Sequence, residues 1–108
     1  MSAIIDRLQI QVRQKKYRLT IHAEKEREGD RITRQELEEA VLSEQFQVIE
    51  DYPTDPRGPS CLLLGFTQAS LPLHMVCGHL SEEEFIVITI YRPDAQLWTD
   101  WRMRKEPS

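Results

Sequence analysis

The chain has 108 residues, which suits one compact domain over residues 1–108 and leaves no room for a second. Its 40% hydrophobic and 30% charged residues are typical of a globular protein and argue against a disordered chain. No run approaches the roughly 18 apolar residues of a membrane helix, and the charged N-terminal segment is unlike a secretory signal. We therefore expect a cytoplasmic protein that does not bind membranes.

The net charge of −4 is unevenly distributed along the chain. Residues 1–34 carry nine Lys/Arg against five Asp/Glu, whereas residues 35–90 carry one against ten. The acidic total argues mildly against a nucleic-acid partner, and no DNA partner is expected, but the basic first third could supply a surface that faces phosphates. The alternative is that these charges only solvate helix surfaces.

Three helices are predicted in the first 44 residues. The N-terminal segment, residues 1–16, has an apolar stripe at helical spacing: Ile4, Ile5, Leu8 and Val12. This stripe predicts a helix over residues 2–16. A second, shorter helix is expected to begin near Thr20 and end at Gly29. Thr33 and Glu36 have the spacing of a capping box, which predicts a helix over 34–44 with a buried stripe (Leu37, Ala40 and Val41).

After Glu44 the hydrophobic period becomes that of strands, over 46–52, 61–67, 73–80 and 85–92. The segments between them, including the Pro/Gly-rich loop 53–59, are too short for crossover helices, so the sheet should be antiparallel. Residues 17–98 then form the core of the domain, and 99–108 form a tail with at most one short element. The predicted class is α+β, with two or three N-terminal helices packed on one face of a four-stranded antiparallel sheet.

His74 stands inside an apolar run, and its partner across the sheet decides what it faces. Regular pairing around loop 81–84 sets Val76 opposite Thr89, and His74 opposite Tyr91, all on one half-open face. The opposite face is then the one packed against the helices (Met75, Cys77, Ile86, Ile88 and Ile90). A bulge of one residue would reverse the assignment of side chains to the two faces in one of these strands.

The segment around His74 contains residue types that could form a metal site or a nucleophilic site. His74, Cys77, His79 and Cys61 have zinc-ligand chemistry, but strand alternation points His74 away from Cys77 and His79, and no C-x-x-C pair is present. We predict no metal and no cofactor. A Cys–His nucleophile is also disfavoured, because Cys77 belongs to the core face. We expect both cysteines to be buried free thiols and His79 to lie on the surface.

Acid–base chemistry fits His74 better. An imidazole exchanges protons near neutral pH, and the Tyr91 hydroxyl with nearby arginines could hold a phosphate and stabilise charge on it. Such a set suffices for metal-free RNA cleavage, in which the 2′-hydroxyl attacks the adjacent phosphate. The alternative is a core histidine that only hydrogen-bonds Tyr91 or Thr89.

Several motifs resemble those of a family of small bacterial domains of unknown function, over roughly residues 17–98. They are His22-Ala23, IEDYP (49–53), PSCLLLG (59–65), PLHMV (72–76) and ITIYRPD (88–94) with Trp98. The resemblance implies a RelE/ParE-like fold, distant kinship with the RelE/ParE toxins, and zinc-finger antitoxin partners of the YgiT/MqsA kind. It also implies functional positions at His22, His74, Thr89 and Tyr91. Glu26 and Phe66 depart from the family pattern, because many members carry basic residues there.

His22 has two interpretations of its own. It stands in the first turn of the second predicted helix, where a neutral imidazole is favoured over a cation, and the resemblance gives it a functional role. Alternatively, it ties that helix to the sheet edge through a side-chain hydrogen bond.

Two functions compete. The first is a toxin-like mRNA endonuclease acting on RNA or the ribosome, with catalytic residues His74, Tyr91 and His22 and substrate-binding residues Arg18, Arg27, Thr89 and Arg92. The second is a non-enzymatic interaction module, either a ParE-like inhibitor of a target enzyme or another binding domain. The acidic total charge and the two lost basic positions favour the second. A small-ligand domain has only the apolar lining of the sheet face in its favour.

Overall fold

The computed structural model describes residues 3–56, 58–80 and 82–106. Its helices are α1 (Ala3–Arg13), α2 (Ile21–Gly29) and α3 (Arg34–Leu42). Its strands are β1 (Tyr17–Leu19), β2 (Gln47–Tyr52), β3 (Ser60–Phe66), β4 (Pro72–Gly78), β5 (Phe85–Tyr91), β6 (Trp98–Thr99) and β7 (Met103–Arg104). The α+β class is confirmed. Some predicted positions lie outside the described residues: Ser2 of the first helix, Arg57 and Ser81 of two loops, and 107–108 of the tail.

The main sheet has five strands in the order β1-β5-β4-β3-β2, so the prediction of a four-stranded, purely antiparallel sheet is wrong. The additional strand β1 runs parallel to β5, with Tyr17 opposite Phe85 and Leu19 opposite Val87. Three residues are too few to show an alternating pattern, and their pairing depends on a strand far along the chain. The sequence period therefore gave no sign of this strand.

The helices begin where their caps predict. Thr20 accepts a hydrogen bond from the Ala23 N–H at 3.0 Å and starts α2. Thr33 and Glu36 form the predicted capping box, each accepting from the other's backbone N–H at 3.0 Å. The core lies between the helices and one sheet face, and it includes the predicted stripe of α3 (Leu37, Ala40 and Val41). None of the helices in the described part of the chain has the length and apolarity needed to cross a bilayer.

Around His74, the pairing of β4 with β5 is the predicted one. His74 pairs with Tyr91 and Val76 pairs with Thr89. Beyond Val76 a bulge intervenes, so that Cys77 faces Val87 and Ile88 is left without a partner in β4. The predicted core positions Ile86 and Ile88 are therefore wrong. The core residues of β5 are instead Phe85, Val87 and Ile90.

The C-terminal segment covers part of the sheet face that the helices leave open. Strands β6 and β7 form a separate two-stranded hairpin whose turn holds Asp100 and Trp101 in the left-handed region, at φ 53° and 62°. Leu62, Leu64 and His74 alternate with the helix-side core residues, yet all three are almost completely buried. This cover removes His74 from the open surface that the sequence predicted.

Candidate functional site

His74 lies at the centre of the candidate site, on β4 between β3 and β5, with Leu64 and Tyr91 as its cross-strand neighbours. It shares a face with Tyr91 as predicted, but its side chain is 0% exposed. The Trp98 ring of β6 meets the imidazole edge to face, with ring centroids 4.5 Å apart. His74 is therefore sandwiched between the sheet and the hairpin β6–β7, and it does not border an open groove.

Both imidazole nitrogens of His74 have partners, and these partners fix its tautomer. Nε2 lies 2.7 Å from the backbone carbonyl oxygen of Trp101, and Nδ1 lies 3.0 Å from the Tyr91 hydroxyl. A carbonyl only accepts, so Nε2 carries the proton. Burial lowers the pKa of His74, which favours the neutral ring. Nδ1 is then an acceptor, and the Tyr91 hydroxyl donates to it.

The Tyr91 hydroxyl stays protonated at neutral pH. Burial raises its pKa to about 12, and the nearby carboxylates of Glu50 and Glu26 act in the same direction. Tyr91 is only partly buried, so it lies at the boundary between the covered imidazole and the solvent. Thr89 is also half-buried on this face, opposite Val76.

A second group of polar side chains adjoins His74 on the same face. Glu50 and Tyr52 project from β2, and Arg104 reaches them from β7. The Arg104 guanidinium binds the Glu50 carboxylate with two parallel hydrogen bonds, Nε to Oε2 at 2.8 Å and Nη2 to Oε1 at 3.1 Å. The Tyr52 hydroxyl donates to Glu50 as well. The same guanidinium lies 4.8 Å from the centroid of the Trp98 ring.

The electrostatics of this group keep the carboxylate ionised. The hydrogen bonds from Arg104 are the main reason that the pKa of Glu50 lies below its usual value. Burial and the hydrogen bond to Glu50 raise the pKa of Tyr52. The side chain of Glu50 is 24% exposed and that of Arg104 is 63% exposed. This pair is therefore the part of the cluster that solvent and a ligand can reach.

His22 does not join this cluster through any contact that the described residues make. It lies on α2 with its side chain largely exposed, and Nε2 is 3.2 Å from Glu26 Oε1. That Glu26 oxygen also accepts from the backbone N–H of Ile90 at 3.1 Å, at the edge of β5 that β1 leaves unpaired. Glu26, at a position where a basic residue was expected, thus has a structural role in attaching α2 to the sheet.

The three arginines predicted to bind substrate already have acidic or carbonyl partners. Arg18 pairs with Glu84 at 3.0 Å on the sheet edge. Arg27 binds Glu24 at 3.1 Å and donates to the Ile32 carbonyl at 2.9 Å. Arg92 donates to the carboxylate of Glu36 and to the carbonyls of Asp30 and Arg31. Arg92 thereby fastens the end of β5 to the connection between α2 and α3.

The structure separates the thiols from the imidazole. Cys61 and Cys77 face each other across β3 and β4 on the helix side of the sheet, and both are free and buried. Burial raises the pKa of the Cys61 thiol to about 11 and raises the pKa of the Cys77 thiol well above its usual value. His79 is exposed, as predicted. Within the described ranges, no three His, Cys, Asp or Glu side chains are grouped as metal ligands.

Three residues of the cluster were not singled out by sequence reasoning: Glu50, Tyr52 and Arg104. Glu50 and Tyr52 lie inside the quoted motif IEDYP, so a signal was present for them. Arg104 lies in the tail, where no hydrophobic period indicates a strand. With His74, Tyr91 and Trp98, the cluster joins residues from three of the quoted motifs.

Comparison with known proteins gives one match. The sequence profile of a family described as "Domain of unknown function (DUF4258)" matches residues 19–92, which is more than half of the chain. The match begins at the last residue of β1, ends one residue after β5 and does not include the covering hairpin. No match was found among curated proteins, and none among solved structures.

Proposed function

We propose that this chain, which belongs to the DUF4258 family, is a toxin-like, metal-independent RNA endonuclease. The observation that carries this proposal is the bidentate Glu50–Arg104 pair, half open to solvent beside the hydroxyls of Tyr52 and Tyr91. A carboxylate base, a planar cation and a hydroxyl donor are the groups that cleavage of RNA without a metal requires.

Each step of the proposed reaction has a group to perform it. The carboxylate of Glu50 takes the proton of the ribose 2′-hydroxyl, and the 2′-oxygen forms a bond to the adjacent phosphorus. Arg104 binds the non-bridging phosphate oxygens and stabilises their charge in the transition state. The bond from phosphorus to the 5′-oxygen breaks, and that oxygen takes a proton from Tyr52, whose oxygen regains one from the protonated Glu50 carboxyl along their hydrogen bond. The products are a 2′,3′-cyclic phosphate and a free 5′-hydroxyl.

Binding of the substrate would itself activate the base. A phosphate that occupies the Arg104 guanidinium removes the two hydrogen bonds that now hold down the pKa of Glu50. The pKa of Glu50 then rises toward its ordinary value, which makes the carboxylate a better proton acceptor. The free protein is in this respect a resting form.

His74 has a positioning role in this proposal, because its ring is fully buried and both nitrogens are occupied. It orients the Tyr91 hydroxyl through Nδ1 and holds the hairpin through Nε2. Tyr91 faces the substrate at the edge of the site. Thr89 lies one pair further along the sheet, and His22 with the three paired arginines stays outside the reaction.

A nuclease of this kind needs a partner that neutralises it in the cell. The toxin resemblance implies a small zinc-finger antitoxin for this role. Its binding would be expected to cover Arg104, since that is the exposed cation of the cluster.

The test is cleavage of RNA by the purified protein in EDTA, with naked RNA and with ribosomes carrying mRNA. We expect fragments that end in 2′,3′-cyclic phosphate, and their loss in the Glu50→Gln variant. Glu28→Gln, which makes the same chemical change at an exposed position on α2, serves as the control and should cleave normally. RNA that stays intact under both conditions would remove the proposal.

The second candidate is a non-enzymatic interaction module that inhibits a target enzyme. It is favoured by the ion pairing of Arg18, Arg27 and Arg92, which leaves these three predicted phosphate ligands occupied. Growth arrest on expression that persists in a triple variant, His74→Ala, Tyr91→Phe and Glu50→Gln, would favour this module over the nuclease.

A further inference from the structure

A small cavity lies beside the candidate site, at the turn of the hairpin β6–β7. Its volume is about 510 Å³, and it is lined by Gln45, Phe66, Ser70, Asp100, Trp101 and Arg102. These residues come from the start of β2, the end of β3, the loop before β4 and the hairpin turn. The volume falls in the range of roughly 300–1,000 Å³ that small-ligand sites occupy.

Two aromatic residues line this cavity, and one of them also contacts His74. Phe66 and Trp101 are both partly exposed there. The backbone carbonyl of Trp101 accepts the hydrogen bond from His74 Nε2 at 2.7 Å. The wall of the cavity is therefore connected through Trp101 to His74, the centre of the candidate site.

The polar lining presents a fixed planar cation with hydrogen-bonding groups around it. Arg102 donates through Nη1 to the Asp100 carboxylate at 2.9 Å and through Nε to Gln47 at 3.2 Å, which holds the guanidinium plane in place. Gln45 and Ser70 add an amide and a hydroxyl to the rim. Aromatic rings, arginine planes and short polar side chains are the groups with which proteins hold the unstacked bases of single-stranded RNA.

The backbone of the cavity is specialised as well. Ser70, Asp100 and Trp101 all have left-handed φ angles, 63°, 53° and 62°. Asp100 and Trp101 are the two central residues of the hairpin turn, which the Arg102 N–H closes on the Thr99 carbonyl at 3.1 Å, and positive φ at both positions suits the twist of the two strands.

We infer that this cavity binds one unpaired base of a single-stranded RNA by stacking on Phe66 and Trp101. Its role in feeding the strand to Glu50 and Arg104 depends on the proposed function, whereas the binding itself does not.

The experiment measures binding without cleavage. A fluorescent 2′-O-methyl RNA octamer has no nucleophilic 2′-hydroxyl, so it stays intact, and its binding is followed by anisotropy. A backbone of the same length without bases is the matched ligand. We expect Trp101→Ala and Phe66→Leu each to weaken binding of the octamer roughly 5- to 150-fold, in line with the loss of one stacked base. The base-free backbone should bind weakly and be indifferent to both changes.

Leu97→Ala and Met103→Ala are the matched controls, because both side chains are exposed on the same segment and neither lines the cavity. Both variants should bind the octamer like the parent protein. The inference is overturned if the parent fails to bind the octamer, or binds it no better than the base-free backbone. It is also overturned if Phe66→Leu binds normally, an arm that decides even where Trp101→Ala does not fold. Binding with no cleavage of ordinary RNA would instead overturn the proposed nuclease alone.

Discussion

The imidazole of His74 donates from Nε2 to the backbone carbonyl of Trp101 across 2.7 Å, joining the centre of the sheet to the turn of the C-terminal hairpin. The hairpin forms its own two-stranded sheet, so side chains make its polar links to the main sheet. Arg102 bonds to Gln47, and Arg104 bonds to Glu50. His74 is thus both a partner of Tyr91 and an anchor of the hairpin that covers it.

Removal of the His74 ring should destabilise the protein strongly. His74→Ala leaves the Trp101 carbonyl and the Tyr91 hydroxyl without their partner and creates a cavity in a site that is 0% exposed. We expect a loss of roughly 2–5 kcal/mol in the free energy of unfolding, measured with urea. His22→Ala removes an exposed imidazole and should change stability by about 0.5 kcal/mol or less. Equal stability of the two variants would contradict the anchoring role.

The stability of the protein should fall as the pH drops below about 6.5, the pKa of an unfolded histidine. Burial lowers the pKa of His74 in the folded state, so between the two pKa values the unfolded chain binds more protons. The free energy of unfolding then rises with pH in this window, by at most about 1.4 kcal/mol per pH unit, and is fully regained above pH 6.5. Arg104 lowers the pKa of Glu50, so protonation of Glu50 reduces the stability only at a pH below the usual carboxylate range. Between pH 5 and 8 we therefore attribute the pH dependence to His74.

Urea unfolding at a series of pH values from 8 to 5 measures this dependence. His74→Gln should flatten the curve, because glutamine can donate to Trp101 but does not titrate. His79→Asn alters an exposed histidine in a left-handed conformation that asparagine tolerates, and it should keep the slope. A His74→Gln curve parallel to that of the parent would show that another group causes the acid sensitivity.

The elements of the fold that the sequence predicted are those with a local signal. Caps at Thr20 and Thr33 mark two helices, and hairpin arithmetic places His74 opposite Tyr91. The bulge at Ile88 was not predicted, because β5 has the sequence FIVITIY, in which both faces are apolar. Alternation of apolar and polar residues therefore cannot identify the unpaired residue. β1 was not predicted either, because its three residues are stabilised only by a strand that is distant in the sequence.

The candidate site was predictable only in part for a similar reason. Strand alternation identifies the face that His74 shares with Tyr91, but not what covers that face. The cover comes from Trp98, at the end of the predicted core, and from Trp101 in the tail, about 25 residues further along the chain in a segment without hydrophobic periodicity. The pairing of Glu50 with Arg104 joins residues at the two ends of the sheet region, and no local spacing connects them.

The packing of α3 on β3 makes Gly65 the least replaceable glycine of the sheet. A Cβ atom on Gly65 would lie 2.2 Å from the carbonyl oxygen of Ala40, so the helix would have to move. We expect Gly65→Ala to lower the free energy of unfolding by about 2 kcal/mol or more. Gly29→Ala is the matched change at the last residue of α2, where nothing lies within 4 Å. It should stabilise by roughly 0.5–1 kcal/mol, and a stable Gly65→Ala would mean that α3 is less tightly packed.

The proposed cleavage reaction requires the planar guanidinium of Arg104. Lysine keeps the charge but has no planar fork for two phosphate oxygens, so Arg104→Lys should lower kcat/KM for RNA roughly 100-fold. The stability should change little, since the side chain is 63% exposed and its ion pair is screened by solvent. Arg13→Lys makes the same exchange at the exposed end of α1 and should leave cleavage unchanged.

Chemical rescue separates a role in the reaction from a structural one. Arg104→Ala should lose most of its activity, and low millimolar guanidinium, well below denaturing concentrations, should restore part of it by occupying the vacated position beside Glu50. Arg104→Ala with Glu50→Gln should show no rescue, because the proton acceptor is gone as well. Arg104→Lys that cleaves RNA like the parent, or rescue that persists without Glu50, would mean that the guanidinium only holds the hairpin in place.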